Sequence, residues 1–278
     1  MNKALDWLIR RRSTAQALAA VALNSSVTQQ VTRGLPCPAL NCHACPVASF
    51  ACPIGALQHF VGLRVVPFYT LGAVALVGAL VGRMSCGWLC PFGWVQDLLF
   101  RLPVPKLRLP NRFSWGRYVT LAVLVLAIPF VTGQPWFCKL CPAGTLEAGI
   151  PVVLFSPPLH QLIGALYGIK LFLLFTLVAW MSVTRRPFCR WICPLGALWS
   201  AFNPVSAFQL SVNLEDCIEC DRCQTVCPVD IRVYADPSSA ACIRCLQCIQ
   251  VCPTQCIRPT ALHWTAVDDA SGGHTVSA

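Results

Sequence analysis

The chain has 278 residues, of which 56% are hydrophobic and only 12% charged, with a formal net charge of +10 and a mean hydropathy of +0.60. That charged share is about half of what a soluble domain carries, which excludes a fully polar surface and implies a lipid-facing one. Nineteen cysteines in metal-ligand spacings on a long apolar chain exclude a small secreted disulfide scaffold, and basic residues gathered in short runs beside apolar segments exclude nucleic-acid binding.

In chain order, Arg10-Arg11-Arg12 precedes a weakly apolar stretch, Ser13 to Thr32. It reads either as an N-terminal helix or as the apolar core of a signal peptide, and both readings leave Arg33 onward on the far side of the membrane. Three further stretches, Val65 to Val81, Tyr118 to Val131 and Leu162 to Val183, are nearly uncharged. A bilayer core of about 30 Å needs roughly 20 helical residues. The middle stretch reaches that only when Trp115 or Thr132 and Gly133 join it. Lys170, inside the third, is expected to face the protein interior or a polar cavity.

Between these stretches one phrase recurs four times, Cys-Pro-x-Gly-x-[Leu/Val], beginning at Cys52, Cys90, Cys141 and Cys193. Its Pro and Gly suit a turn that opens a short interfacial helix, lying flat on a membrane face. Counting Lys and Arg outside the apolar stretches, thirteen lie in the N-terminal, central and post-span segments, against Arg33, Arg64 and Lys139 elsewhere. The positive-inside rule then puts both termini in the cytoplasm of a multi-pass inner-membrane protein. The expected fold for residues 1–204 is therefore an α-helical integral membrane domain of about four transmembrane helices. It forms two similar halves, with the phrases at Cys52 and Cys141 outside and those at Cys90 and Cys193 inside.

The inner motifs, Cys86-x3-Cys90-Pro91 and Cys189-x3-Cys193-Pro194, offer four soft ligands that converge if the halves pack side by side. Such a site suits an iron–sulfur cluster, zinc or a redox-active disulfide pair. The neighbouring Trp88, Phe92, Trp94, Phe188 and Trp191 read as interfacial belt residues. Outside, Cys42 and Cys45 with Cys138 and Cys141 make a second candidate metal site, with Cys52 competing for a place. The remaining outer thiols are open to a disulfide such as Cys37 with Cys52.

After Pro204 the composition turns polar. Cys217-x2-Cys220-x2-Cys223-x3-Cys227-Pro228 is followed by Cys242-x2-Cys245-x2-Cys248-x3-Cys252-Pro253, the pattern of a bacterial two-cluster ferredoxin. In it the fourth cysteine of each run serves the other cluster. One [4Fe-4S] cluster takes Cys217, Cys220, Cys223 and Cys252, the other Cys242, Cys245, Cys248 and Cys227. Residues 205–258 are expected to form this α+β domain and 259–278 a disordered tail, with Cys256 a spare buried thiol. The five histidines include no C-x-x-C-H and no mid-span pair, so haem is not expected. His59 and His160 are candidates only for orienting a quinone.

Two Cys-x3-Cys-Pro motifs on one face, membrane spans and a cytoplasmic two-cluster ferredoxin resemble the NapH/NosR group of membrane ferredoxins, over roughly Arg83 to Arg258. The resemblance implies electron transfer from the quinol pool toward an extracytoplasmic redox partner. It places the family's thiols at Cys86, Cys90, Cys189 and Cys193 and its cluster ligands at the eight tail cysteines. The six outer cysteines depart from that pattern, and the large flavin-binding domain of NosR has no counterpart, so nitrate and nitrous oxide metabolism are not carried over. The reading is an integral membrane iron–sulfur electron carrier, a candidate quinol dehydrogenase subunit within a redox complex. It would hold two tail clusters, one or two more in the membrane domain, and quinone as a candidate carrier. The rival is a membrane assembly factor working by thiol–disulfide exchange at the Cys-x3-Cys-Pro motifs.

Overall fold

The computed structural model describes residues 3–26, 29–32, 34–42, 44–156, 158 and 163–261. His43, His160 and residues 262–278 of the expected tail lie outside them. The described chain is mostly helical, with one two-stranded sheet near its C-terminal end.

Ala165–Val183 is the one described helix long and apolar enough to cross a bilayer, while Phe68–Val81, Gly116–Thr132 and Pro142–Phe155 are apolar but shorter. At 1.5 Å per residue, the 14 residues of Phe68–Val81 rise only about 21 Å. Its ends are fixed locally. Pro67 precedes its first turn, and Gly82, at φ +54°, ends it where a side chain would strike Asn203 and Arg244. Two helices widen into π turns, Thr120–Ala127 and Thr145–Gly149, and each lies just ahead of a proline, Pro129 or Pro151. A proline donates no N–H and crowds the carbonyl four residues back, so that carbonyl is free to pair one residue further on.

Each Cys-Pro-x-Gly phrase opens a half-length helix. Pro53–Gly62 lies along the far part of Gly116–Thr132, and Pro194–Ser200 lies along its near part. The ends are marked by close approaches: Gly62 beside the Gly133 carbonyl, and Gly116 beside the Trp191 carbonyl. Ala165–Val183 is flanked in the same way by Pro142–Phe155 and Pro91–Leu99. The two halves of the chain thus exchange partners, since each long helix carries one half-helix from either half. The short helices start inside the domain and run outward, which differs from helices lying flat on its two faces.

The N-terminal stretch is a packed helix, Arg12–Leu23, laid against Pro91–Leu99. Arg12 donates to Asp97 at 2.7 Å and to the Gly87 carbonyl at 2.9 Å, and Trp94 donates to Ser13. Arg186, whose side chain is 1% exposed, grips the same Asp97 through two bonds of 2.7 and 2.6 Å. One carboxylate therefore ties together the N-terminal helix, the first inner motif and the second.

Strands Phe208–Val212 and Ile257–Ala261 pair antiparallel, with Phe208 opposite Ala261 and Val212 opposite Ile257. This corrects the expected boundary: Pro259, Thr260 and Ala261 belong to the ferredoxin sheet rather than to a tail. The sheet brings the ends of the tail domain together and leaves the two cysteine runs between them.

Burial alone would raise the Asp97 carboxyl, but the charges and hydrogen bonds of Arg186 and Arg12 outweigh it and hold it below the ordinary value of 3.8. Its contribution to stability is then whole above that value and lost as the pH falls through the depressed one. Asp97→Ala leaves Arg186 buried without its partner, a loss of about 3 kcal/mol. Thermal unfolding in detergent at neutral pH should show the deficit, which should shrink as the wild type is acidified.

Candidate metal centres

The recurring phrase is a thiol cap. Cys52, Cys90, Cys141 and Cys193 each have extended backbone at the N-cap position, and the following proline takes the first helical position, where its missing N–H costs nothing. The N–H of Gly93 points to Cys90 Sγ and that of Gly196 to Cys193 Sγ, both at 3.4 Å, while the Gly55 and Gly144 amides lie toward Cys52 and Cys141 without closing a cap bond. The glycine also makes room. A side chain at Gly93 would press on the Cys86 carbonyl and Arg186, one at Gly196 on Arg83, and one at Gly144 on Cys42 Sγ.

At the inner motifs Cys86, Cys90, Cys189 and Cys193 are all buried and stand within electrostatic reach of one another. The arginine three residues before each motif crosses to the other one: Arg83 donates to the Cys189 carbonyl and Arg186 to the Cys86 carbonyl. Gln96, six residues after Cys90, donates to Cys189 Sγ at 3.0 Å. Phe92 and Phe188 close the site edge to face at 5.1 Å, each 1% exposed. These two are walls of the site, and with Trp88 and Trp191, which are buried against Arg244 and Trp180, they do not form an exposed interfacial belt.

The outer thiols repeat this plan. Gln58, six residues after Cys52, donates to Cys138 Sγ at 3.1 Å and accepts from the Phe137 N–H. Cys42, Cys52, Cys138 and Cys141 interact electrostatically, and Glu147, six residues after Cys141, accepts from the Cys42 N–H at 2.6 Å. Cys45 adjoins this group at Cys42, from a small apolar cluster with Ala48 and Ala148 against which Cys42 packs, whereas Cys52 is within electrostatic reach of Cys42, Cys138 and Cys141. All nineteen thiols are free, Cys37 and Cys52 included. Lys170 faces inward, as its place in an apolar helix required, close enough for its charge to reach Cys138.

In the tail domain Cys217, Cys220, Cys223 and Cys252 line one hollow, together with Cys256. A second is lined by Cys227, Cys242, Cys245 and Cys248 among apolar side chains. Each set thus takes one thiol from the other run. The backbone repeats with the thiols: Glu219 and Arg244, Asp221 and Leu246, and Asp230 and Gln255 are matched pairs, all at positive φ between 48° and 64°. Six non-glycine residues in this costly region, in register with two cysteine runs, mark loops bent around something. Burial pushes the Cys227 thiol up to about 12 and Cys242 up to about 11, so these are thiolates only with a metal to hold them. Among the described residues no three His, Cys, Asp or Glu stand at the spacing of a single metal ion. Both hollows fit a cubane, which takes one thiolate at each of four irons and so sets its ligands further apart.

The 4Fe-4S binding domain pattern matches residues 49–68, 65–110, 115–150 and 166–207, just over half of the chain, and a 4Fe-4S dicluster domain matches 209–253. The chain belongs to the NapH/NosR-type ferredoxin family. Relatives include an uncharacterized protein of Methanocaldococcus jannaschii, 30% identical over 59% of this chain and 66% of that one. The methylamine utilization ferredoxin-type protein MauN of Methylobacillus flagellatus is 29% identical over 63% of this chain and 60% of MauN. The regulatory protein NosR of Stutzerimonas stutzeri is 26% identical over 58% of this chain and 21% of NosR. The chain thus spans two thirds or less of these relatives' own lengths. No solved structure matches it.

Within this ferredoxin the sites adjoin. Gly87, next to Cys86, lies against the Ile243 carbonyl, next to Cys242, and Trp88 donates to the Arg244 carbonyl at 3.1 Å. Asn203 donates to the Cys242 carbonyl, and Arg83 to those of Ala240 and Ala241. Sequence reasoning missed the second ring of residues. Arg83 and Arg186 were counted as topology signals, yet both are 1% exposed and bind across the halves. The signal was present in a longer repeat, Arg-x2-Cys-x3-Cys-Pro-x-Gly, with Gln58, Gln96 and Glu147 at the sixth position after the cysteine in three phrases.

A Cβ on residue 87 would sit 2.4 Å from the Ile243 carbonyl. Gly87→Val should therefore separate the tail domain from the inner site. Hydrogen exchange of the Ile243 to Leu246 amides is expected to rise, while that of the Phe208–Val212 strand stays as it is.

Proposed function

We propose that this protein is a membrane iron–sulfur electron carrier in which the inner four-thiol site relays electrons to or from the two clusters of the tail. The observation that carries this reading is an excess of buried cations around the thiols. Arg83 and Arg117 are buried beside Cys189 and Cys193, and neither has a carboxylate partner among the described residues. Arg83 Nε and Arg117 Nε and Nη1 have no hydrogen-bond acceptor. Arg244, which burial pulls down to about 10, reaches only carbonyls and a serine hydroxyl beside Cys242.

Buried charge without a counter-ion is costly. A disulfide pair is neutral and would leave these guanidinium groups unbalanced, whereas a cluster held by four thiolates is an anion. When bound, such clusters supply one-electron redox chemistry at potentials set by net charge, hydrogen bonds to sulfur and solvent exposure. The protein's part is then positional. Cys86, Cys90, Cys189 and Cys193 hold the inner group, while Gln96 and the glycine amides stabilise its thiolates. Arg83, near both Cys189 and Cys242, favours negative charge on either side of the gap between the domains. Cys217, Cys220, Cys223 and Cys252 hold one tail cluster, and Cys242, Cys245, Cys248 and Cys227 the other. Cys220 is exposed, so that cluster is the one open to a soluble redox partner.

A membrane setting is supported by aromatic and aliphatic side chains facing outward from the apolar helices, such as Phe68, Leu76, Val131, Phe155, Phe172 and Phe175, all more than 60% exposed. Four crossings, Arg12–Leu23, Phe68–Val81, Gly116–Thr132 and Ala165–Val183, with both termini cytoplasmic, fit the distribution of Lys and Arg. The half-helices, tucked between the crossings and opening on a cysteine inside the domain, follow the arrangement by which membrane proteins bury ligand sites. Quinol or an extracytoplasmic redox protein is the class of partner on the far side, as in the family resemblance.

Anaerobic purification in detergent, with iron and acid-labile sulfide measured per chain, tests the reading. Iron clearly above the roughly eight atoms of two tail cubanes is expected, with Cys189→Ser losing about four of them and keeping the tail signals. Iron at eight in the wild type, with the inner thiols cycling as disulfides, would instead favour the thiol-exchange assembly factor.

A further inference from the structure

The outer thiols sit where two unexplained features meet. Four cysteines from three segments are gathered on the pattern of the inner site, and they lie against it. The amide N–H of Leu40 is directed to Cys90 and that of the next residue, Asn41, to Cys52. Two sulfurs approached by consecutive amides are on the order of 10 Å apart. Leu40 and Asn41 are 3% and 0% exposed, so the strip between the two sites is dry protein. Spans of fewer than 20 residues and half-helices that open inward together bring the two sites this close.

We propose that Cys42, Cys52, Cys138 and Cys141 hold a further iron–sulfur cluster, joined in series to the inner site through the Leu40–Asn41 peptide. This rests on the carrier reading above and names the ligand set and the route that it leaves open. Cys52 and Cys141 stand at helix N-cap positions as Cys90 and Cys193 do, and Cys42 and Cys138 complete the set. Gln58 donates to Cys138 as Gln96 donates to Cys189, the same sixth-position residue in the same role. Lys170 supplies a cation close to Cys138. Cys45 adjoins the set only through Cys42 and is left out of it, and Cys37 stays a free thiol beside Cys52. The resulting line runs from the outer thiols through Leu40–Asn41 to the inner thiols, then through Gly87 and Ile243 to the tail. Each hop moves one electron from a reduced site to an oxidised neighbour, with no bond made or broken.

The test compares anaerobic wild type with Cys52→Ser and Cys45→Ser, each as the full chain in detergent, by iron and sulfide content and by electron paramagnetic resonance of the dithionite-reduced state. About sixteen irons are expected in the wild type and in Cys45→Ser, and about twelve in Cys52→Ser. The reduced wild type should show spin-coupling broadening of the inner-site signal that Cys52→Ser loses. Unchanged tail-cluster signals in every variant report that the chain is folded. Gln58→Leu, which keeps all thiols, should lower the midpoint potential of one cluster and leave the others in place. Loss of four irons in Cys45→Ser but not Cys52→Ser overturns the proposed ligand set. Twelve irons in the wild type, unchanged by Cys52→Ser, or a Cys37–Cys52 disulfide, removes the outer cluster and leaves the carrier reading standing. Eight irons in the wild type removes both.

Discussion

Arg83 and Arg186 reach across the pseudo-symmetric halves, each to the cysteine motif of the other, and the rest of the arrangement depends on that exchange. Neither guanidinium is accessible to water, so each must find acceptors in the protein. Arg186 finds Asp97 and the Cys86 carbonyl, and Arg83 finds the Cys189 carbonyl and the loop that leads to Cys242. These bonds fix the separation of the two inner motifs, draw in the N-terminal helix through Arg12, and seat the tail domain against the inner thiols.

The cost of that arrangement is positive charge that Asp97, shared by Arg12 and Arg186, does not balance at Arg83. The chain has only eleven acidic residues, and several of them, Glu215, Asp216, Glu219 and Asp221, lie beside Cys217 and the exposed Cys220 in the tail. Anionic metal–thiolate groups at the cysteine sites would resolve the imbalance without any further acidic residue. The same cations would favour the reduced state of those groups, since an added electron is more negative still.

The half-helices explain how thiols can be placed inside a thin apolar domain. A full-length helix presents its side chains around its surface and leaves its ends at the faces. A helix begun mid-way by Cys-Pro brings a capping thiol and a free glycine amide to the interior in one motif. Two such starts from either half, combined with Cys86 and Cys189 or with Cys42 and Cys138, give two four-thiol groups back to back. The glycine at the third helical position serves both as donor and as clearance, which is why the phrase tolerates variation at its third and fifth residues but repeats its Cys, Pro and Gly.

The sequence alone determined the repeat, the eight tail cysteines with their crossed order, the apolar segments and the chemical class of the sites, because these are properties of spacing and of composition. Lys170 was also legible, as a cation that an apolar helix has to turn inward. Tertiary structure decided what depended on which segments meet: Cys52 beside Cys138 and Cys141, the aromatic walls at Phe92 and Phe188, and Asp97 as a three-way clasp. Arg186 shows the difference most directly. In the sequence it is one of a run of basic residues beside an apolar segment, which usually means a solvated face. Only the packing of Pro91–Leu99 against Ala165–Val183 removes it from water, supplies Asp97 and carries it to Cys86. No local pattern encodes that, because the energy of a buried charge depends on partners about ninety and one hundred residues away.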